Sequence, residues 1–364
     1  YTCVFTIFDY TIYYVNTCET IINDRMVYLM NIYDISEKAG VSIATVSRVL
    51  NNSARVSQKT REKVLAVMAE YDYVPNPFAR GLGLKTMRTI GLLCPNASDY
   101  YLANALSYLE RMLRKQGYDS MLLCTGSQLA DREKGVEWLI SKHVDGIILM
   151  GSTFVEDHDE GNQYLRNASK HLPLVLLNAS YAFENIYSVL CDDYHATMNA
   201  TQYLINQGRK NVLYLYHNRN YSGLKKLSGY KAAMKNAGIP LQDKLIQFYT
   251  EDKMSIPDIR DYLRSIVKKG VQFDAVMTSE DVLAVGAFKY AHIVGRKVPD
   301  DLQIIGYNNS SYCLCCEPEL SSVDNKLEML CEQSVSTLVK VLSDESVPQK
   351  TVFMGELVLR GSTC

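Results

Sequence analysis

Residues 31–51 read NIYDISEKAGVSIATVSRVLN, two short amphipathic segments on either side of a glycine. Asn31 is suited to cap a helix, and Asp34, three residues on, can return a hydrogen bond to the cap backbone. Ile32, Ile35 and Ala39 recur at helical spacing, so a first helix is expected to run to about Ala39. Gly40 supplies the left-handed backbone that ends it, and Val41 fills the gap behind the turn. Ser42 then caps a second helix over residues 43–50, with Val46, Val49 and Leu50 facing inward and Ile43, Ala44, Ser47 and Arg48 left outside. Two short helices joined by a tight glycine turn make a helix-turn-helix, whose second helix enters the DNA major groove. An ordinary helical hairpin in an all-α core would not explain why small residues, a hydroxyl and an arginine face outward there.

The next blocks extend this head. Residues 57–71, SQKTREKVLAVMAEY, open on a capping serine and carry Val64, Leu65, Val67 and Met68 as the apolar side of a third helix. Tyr73, Pro75 and Asn76 follow, then PFARGLGL over residues 77–84. In order and nearly without gaps, YDISEKAGVSIATVSRVLN, VSQKTREKV and YVPNPFARGL resemble the DNA-binding head of the lactose/galactose repressor (LacI/GalR) family. The resemblance implies a set of DNA contacts. Tyr33, Ser42 and Thr45 would lie toward phosphates. Ile43 and Ala44 would meet thymine methyls, and Ser47, Arg48 and Asn51 would supply polar readout. It also implies that residues 76–88 form a hinge that becomes helical on the operator, with Asn76 and Arg80 near the DNA and Leu82 wedged into the minor groove.

Charge agrees with the motif. The chain has 364 residues and a net charge of -2, yet residues 30–88 hold nine bases against five acids, a surplus of four. A basic head on a mildly acidic body suits a module that meets phosphate. Residues 1–29 mix aromatics, Thr and Ile without a clear period. They contain neither a secretory signal pattern nor the roughly eighteen apolar residues of a membrane span. They are expected to be a non-native or disordered extension, with translation starting at Met26 or Met30. Of ten cysteines, Cys313, Cys315 and Cys316 cluster in SSYCLCCEPE. A single C-x-x-C without further ligands does not make a zinc site, so loop packing of reduced thiols is expected, and no cofactor.

From Thr89 onward short apolar runs alternate with helical segments. TIGLLC (89–94), SMLLC (120–124), DGIILM (145–150) and LVLL (174–177) read as buried strands, as do residues 212–216, 275–278 and 302–306. Between them, residues 102–116 place Leu102, Ala105, Leu106, Leu109, Met112 and Leu113 on one helical face. Such alternation predicts doubly wound parallel sheets, enough for two. The chain is therefore expected to be multi-domain. An all-α helix-turn-helix head (30–75) and a hinge (76–88) would precede a two-lobed α/β body like a periplasmic binding protein (89–364). The N-subdomain would comprise 89–190 plus about 325–354, and the C-subdomain 191–324 plus about 355–364. The family resemblance continues through VDGIIL, KLSGYKAAMKNAGI, SEDVLAVGA, VPDDLQIIGYNN, PELSSV and the terminal LVLRGST.

Open α/β sheets bind ligands beyond the carboxyl ends of their strands. Those ends nominate Asn96, Tyr100 and Tyr101 after the first strand and Asn178 after the fourth, the two tyrosines as platforms for a sugar face. The resemblance adds Lys226 where the family usually has arginine, Glu280 near a common asparagine, and Asn308 where aspartate is common. Lysine lacks the planar fork of arginine, and asparagine donates as well as accepts. The pocket type therefore carries over from the family, and the ligand's identity does not. No phosphate-cradling loop, zinc-protease motif or nucleophile elbow is present, and GLGL at 81–84 is not a dinucleotide fingerprint. The expectation is a cytoplasmic regulator, a repressor rather than an enzyme. It would bind double-stranded operator DNA as a homodimer under control of a small molecule, a sugar, with no membrane partner. A transporter's solute-binding protein would share the body without the head, and a sugar enzyme would need an acid/base pair in the crevice.

Overall fold

A computed structural model describes residues 30–50, 53–73, 86–250 and 255–364, which fall into a head ending at Met87 and a body beginning at Arg88. The head contains α1 (Ile32–Ala39), α2 (Ile43–Leu50) and α3 (Gln58–Glu70). Asn31 Oδ1 accepts from the backbone of Tyr33 and Asp34, and Asp34 Oδ2 accepts from the Asn31 amide at 2.8 Å, completing a capping box. Gly40 ends α1 at φ 59°, and Ser36 Oγ donates to the Val41 carbonyl at 2.6 Å to brace the turn. Ser42 Oγ accepts from the Thr45 amide at the start of α2. Ile35, Ala39, Val46, Val49 and Val64 form the buried centre of the head. Leu65 does not join it. Its side chain is 47% exposed, because the buried face of α3 follows Val64, Val67 and Met68, and one step past Val64 turns outward. The Arg61 guanidinium donates to the carbonyls of Val49 and Ser53, neutralising the end of α2.

The body opens with β1 (Thr89–Cys94), α4 (Tyr100–Lys115), β2 (Asp119–Cys124), α5 (Leu129–Ser141), β3 (Gly146–Met150), α6 (Gln163–Ser169), β4 (Leu174–Leu177) and β5 (Ile186–Cys191). It continues with α7 (Asp193–Asn206), β6 (Val212–Tyr216), α8 (Tyr221–Asn236), β7 (Ile246–Phe248), α9 (Ile256–Lys268), β8 (Ala275–Thr278), α10 (Asp281–Ile293) and β9 (Gln303–Tyr307). Last come β10 (Ser321–Asp324), α11 (Leu327–Leu342), β11 (Lys350–Phe353) and β12 (Glu356–Val358).

Two six-stranded sheets result, ordered β11-β5-β4-β3-β1-β2 and β12-β10-β9-β8-β6-β7. The first is parallel throughout, and the second is parallel except for β12, which runs antiparallel to β10. β1, β3 and β4 are buried on both faces, as their unbroken apolar runs require. β2 corrects the expectation of a buried strand: it lies at a sheet edge with alternate residues exposed, Leu122 among them. α11 returns to cover the first sheet, with Leu330, Cys331, Val335 and Leu338 in its core.

Membership of the sheets shows the chain passing between the lobes three times: after β5, after β10 and after β11. These passages touch one another. A Cβ on Gly355 would stand 2.8 Å from Ala196 Cβ and 3.1 Å from Cys191 Sγ, so only glycine fits between them. Lys326, left-handed at φ 60°, bridges Asp324 at 3.1 Å and Glu356 at 2.6 Å, tying the second passage to the third. In each sheet the winding reverses direction once, between β1 and β3 and between β6 and β8. Both reversals leave an opening at the carboxyl ends of those strands, where ligands of such sheets lodge.

Candidate nucleic-acid interface and ligand cleft

In the head, the reading face is the outer side of α2. Val46 and Val49 are buried, and Ile43, Ala44 and Arg48 are exposed, with Ser47 partly covered. Tyr33 projects from α1 at 67% exposure. Thr45 is half-buried and its hydroxyl lies 2.9 Å from Ser42 Oγ, so both side chains already serve the helix start. An apolar pair, a hydroxyl and an arginine at the open end of a helix can meet base edges in a major groove. Asn51, Asn76, Arg80 and Leu82 lie outside the described residues, as does most of the hinge.

In the body, strand ends from both lobes border one cavity of about 420 Å³. Asn96 follows β1, Asn178 follows β4, Glu280 follows β8 and Asn308 follows β9, while Tyr101 and Lys226 reach in from α4 and α8. Asn178 and Asn308 have φ of 63° and 100°, a left-handed turn of the backbone where each strand stops. Asn96 Oδ1 is occupied locally, accepting from the Ser98 amide and hydroxyl. Asn178 Nδ2 reaches across the cleft to Ser222 Oγ at 3.5 Å. Asn308 Oδ1 accepts from Asn325 Nδ2 at 3.1 Å.

Lys226 is the electrostatic centre of this cavity. Its ammonium stands 3.7 Å from the centre of the Tyr307 ring and donates to the Ser279 carbonyl at 3.1 Å, and the side chain is only 7% exposed. Behind it Asp193 is buried, accepting from Ser222 Oγ at 2.5 Å and Tyr307 Oη at 2.6 Å. Burial pushes the Asp193 carboxyl above the usual range, against the pull of Lys226 and its two hydroxyl donors. Glu280 accepts from Asn218 Nδ2 at 2.9 Å, and its carboxyl is likewise raised by burial, with Lys226 opposing. Two hydroxyls on this wall, Tyr101 Oη and Ser279 Oγ, are buried without a hydrogen-bond partner among the described residues. Buried hydroxyls left unbonded are expensive, and a polar ligand would satisfy them.

Tyr100 departs from the expected arrangement. It does not line the cavity that gathers the other six residues. Its hydroxyl lies 2.6 Å from Ser311 Oγ and its ring 5.2 Å from that of Tyr312, so it spans the two lobes and borders a neighbouring cavity. The cause is its place at the first position of α4, which turns it away from Tyr101. Sequence reasoning missed Asp193, Ser222, His217 and Asn218. Asn218 lies just past β6, a strand end that was legible, whereas Asp193 depends on contacts from α8 and β9 that no local pattern announces. Cys313 and Cys316 are buried in the turn after β9 and Cys315 is exposed, all three free thiols.

Family models match both parts of the chain. Residues 31–76 match the bacterial regulatory proteins of the lacI family, and residues 87–346 match the periplasmic binding proteins and sugar binding domain of the LacI family. The chain belongs to the lacI family of bacterial regulatory proteins. An HTH-type transcriptional regulator of Lachnoclostridium phytofermentans is 50% identical over 334 residues, 92% of this chain and 99% of that protein. The HTH-type transcriptional regulator DegA of Bacillus subtilis is 31% identical across 91% of this chain and 97% of its own length. The catabolite control protein A of Priestia megaterium is 30% identical across 89% and 96%. The lac repressor dimer bound to operator and the anti-inducer ONPF matches with a TM-score of 0.82 at 23% identity, covering 92% of this chain and 99% of that one, and shows the shared fold. This LacI-family chain is thus a DNA-binding transcriptional regulator, and these relatives are regulators rather than enzymes. Among the described residues no helix is long and apolar enough to cross a membrane.

Proposed function

We propose that this regulator is a cytoplasmic repressor that binds a pseudo-palindromic operator as a homodimer, with affinity controlled by a sugar in the cleft between the lobes. The observation that carries the reading is the pairing, in one chain, of an exposed α2 face with a cleft where Lys226, Glu280, Asn178 and Asn308 converge. On DNA, Ile43 and Ala44 make apolar contacts, Ser47, Arg48 and Asn51 read polar edges, and Tyr33, Ser42 and Thr45 lie toward phosphate. Asn76, Arg80 and Leu82 serve the hinge and its minor-groove wedge. In the cleft, Lys226 donates and Glu280 accepts, Asn96, Asn178 and Asn308 can do either, and Tyr101 offers a ring and a free hydroxyl. A mixed set of donors and acceptors around half-buried rings suits the hydroxyls and C–H faces of a sugar.

Selection of bound duplexes from a random double-stranded pool, followed by footprinting, tests the DNA half. Enrichment of a site with two inverted half-sites, protected over about one helical turn between centres, is expected. Recovery of unrelated sequences with uniform affinity would overturn the operator reading. The ligand half is tested by adding a panel of sugars to the bound complex. A change in affinity with one of them that Lys226→Met abolishes is the expected result.

A further inference from the structure

The central cavity is not closed at its end. A second one of about 640 Å³ adjoins it, and Ser98, Asp99, Tyr101, Glu280 and Asn308 belong to the walls of both. A ligand unit placed in the central cavity therefore has open space beside it, bounded by the same five residues. The second chamber is lined by the rings of Tyr100, Tyr108 and Tyr312, with amides of Asn104 and Asn309 between them. Rings alternating with amides offer an apolar platform and hydrogen-bonding edges, as a second sugar ring would need.

Charge decides the chemistry of what can enter. The ionisable groups of this second chamber are already engaged. Asp281 accepts from the Ser310 amide and hydroxyl at 2.7 Å and from Ser322 Oγ at 2.6 Å. Lys326 is held between Asp324 and Glu356, and Glu328 meets Arg111 at 2.6 Å. In the central cavity, Lys226 lies in the field of Asp193 and Glu280. A phosphate or carboxylate on the ligand would find no spare cation in either chamber and would stand among acids. A neutral polyol pays no such penalty.

We propose that the regulator's effector is a neutral oligosaccharide, with one unit in the central cavity and the next over Tyr100, Tyr108 and Tyr312. This rests on the sugar reading of the cleft and adds the ligand's length, charge and direction. Direction matters because a third cavity of about 410 Å³ adjoins the centre through Ser127, Thr153 and Asn220, and it carries Arg219 and Lys225. An anionic extension would run that way instead.

Isothermal titration of the full chain tests the proposal. The probes are gluco-, manno- and xylo-oligosaccharides of one to three units in α- and β-1,4 linkage, glucose 6-phosphate and glucuronic acid. At least one neutral series is expected to bind at least tenfold tighter from one unit to two or three. Tyr108→Ala is expected to remove most of that gain, whereas Lys226→Met should weaken every length alike. Because Tyr108→Ala leaves the strand ends intact, its far-ultraviolet dichroism and melting should match the parent. A monosaccharide bound as tightly as its longer homologues would overturn the proposal and leave the sugar reading standing. A gain confined to the acidic sugars, sensitive to Arg219→Ala, would overturn it in favour of the opposite chamber. Absence of heat with every neutral saccharide would overturn both the proposal and the sugar reading.

Discussion

Replacing Lys226 with methionine keeps the length and packing of the side chain and removes one buried charge. The ammonium makes one hydrogen bond, to the Ser279 carbonyl, and stacks on Tyr307 at 3.7 Å. A hydrogen bond from a charged group contributes about 1.5–3 kcal/mol and a desolvated cation on an aromatic face up to about 2 kcal/mol. Among the described residues no carboxylate lies within ion-pairing distance of it, so the 3–5 kcal/mol of a broken buried ion pair does not apply in full. A loss of about 2–4 kcal/mol near neutral pH is expected. The pH dependence is more diagnostic than the size. Asp193 and Glu280 have carboxyls raised by burial and held down by Lys226. Without the lysine both should rise further. A carboxyl raised in the folded state favours folding below its unfolded value, near pH 4, and that contribution is lost as pH climbs through the folded value. The stability deficit of the variant should therefore be small near pH 4 and grow toward pH 7. Urea denaturation of the full chain at several pH values measures it. A deficit that is constant, or that shrinks as pH rises, would refute the electrostatic account of the cleft.

Other substitutions probe other levels. Arg48→Ala should cost on the order of 1–3 kcal/mol on the selected site and flatten preference at particular base pairs, read by competition binding; an unchanged ranking of sites would make Arg48 a phosphate contact. Asn31→Ala removes both halves of the capping box and should cost the head about 1 kcal/mol, measured as loss of α1 protection in amide exchange. Gly355→Ala brings a methyl to 2.8 Å from Ala196 and should destabilise the body by about 1–3 kcal/mol, seen as a lower melting temperature. Equal melting of that variant and its parent would mean that the passages between the lobes are less closely packed than described.

What the sequence disclosed follows from how local each cause is. Asn31, Asp34, Gly40 and Ser42 act within a turn of their own helices, so the head could be read residue by residue, down to the capping box. The unbroken runs of β1, β3 and β4 follow from burial on two faces and were equally plain. Leu65 was misplaced because an apolar residue next to Val64 looks like core until the helix is set against its neighbours. β2 has an apolar stretch like the others, and only its place at the sheet edge exposes Leu122. β5, β7, β10 and β11 escaped notice, since mixed segments such as SSVD or KTVF carry no period that separates strand from loop. In the cleft, strand ends and family resemblance together reached Asn96, Asn178, Lys226, Glu280 and Asn308. They could not foresee that Tyr100 would clasp Ser311 across the lobes, nor that Asp193 would sit behind Lys226, because both depend on which helix packs where.

The central claim is that a ligand in the body governs DNA binding by the head. Fluorescence anisotropy of the full chain on its selected duplex, titrated with the tightest-binding saccharide and repeated with Lys226→Met and Arg48→Ala, tests it most directly. The parent should change its affinity on adding the saccharide, Lys226→Met should bind the duplex yet ignore the saccharide, and Arg48→Ala should bind the saccharide yet lose the duplex. A parent whose affinity for the duplex is the same at zero and saturating saccharide would contradict the account.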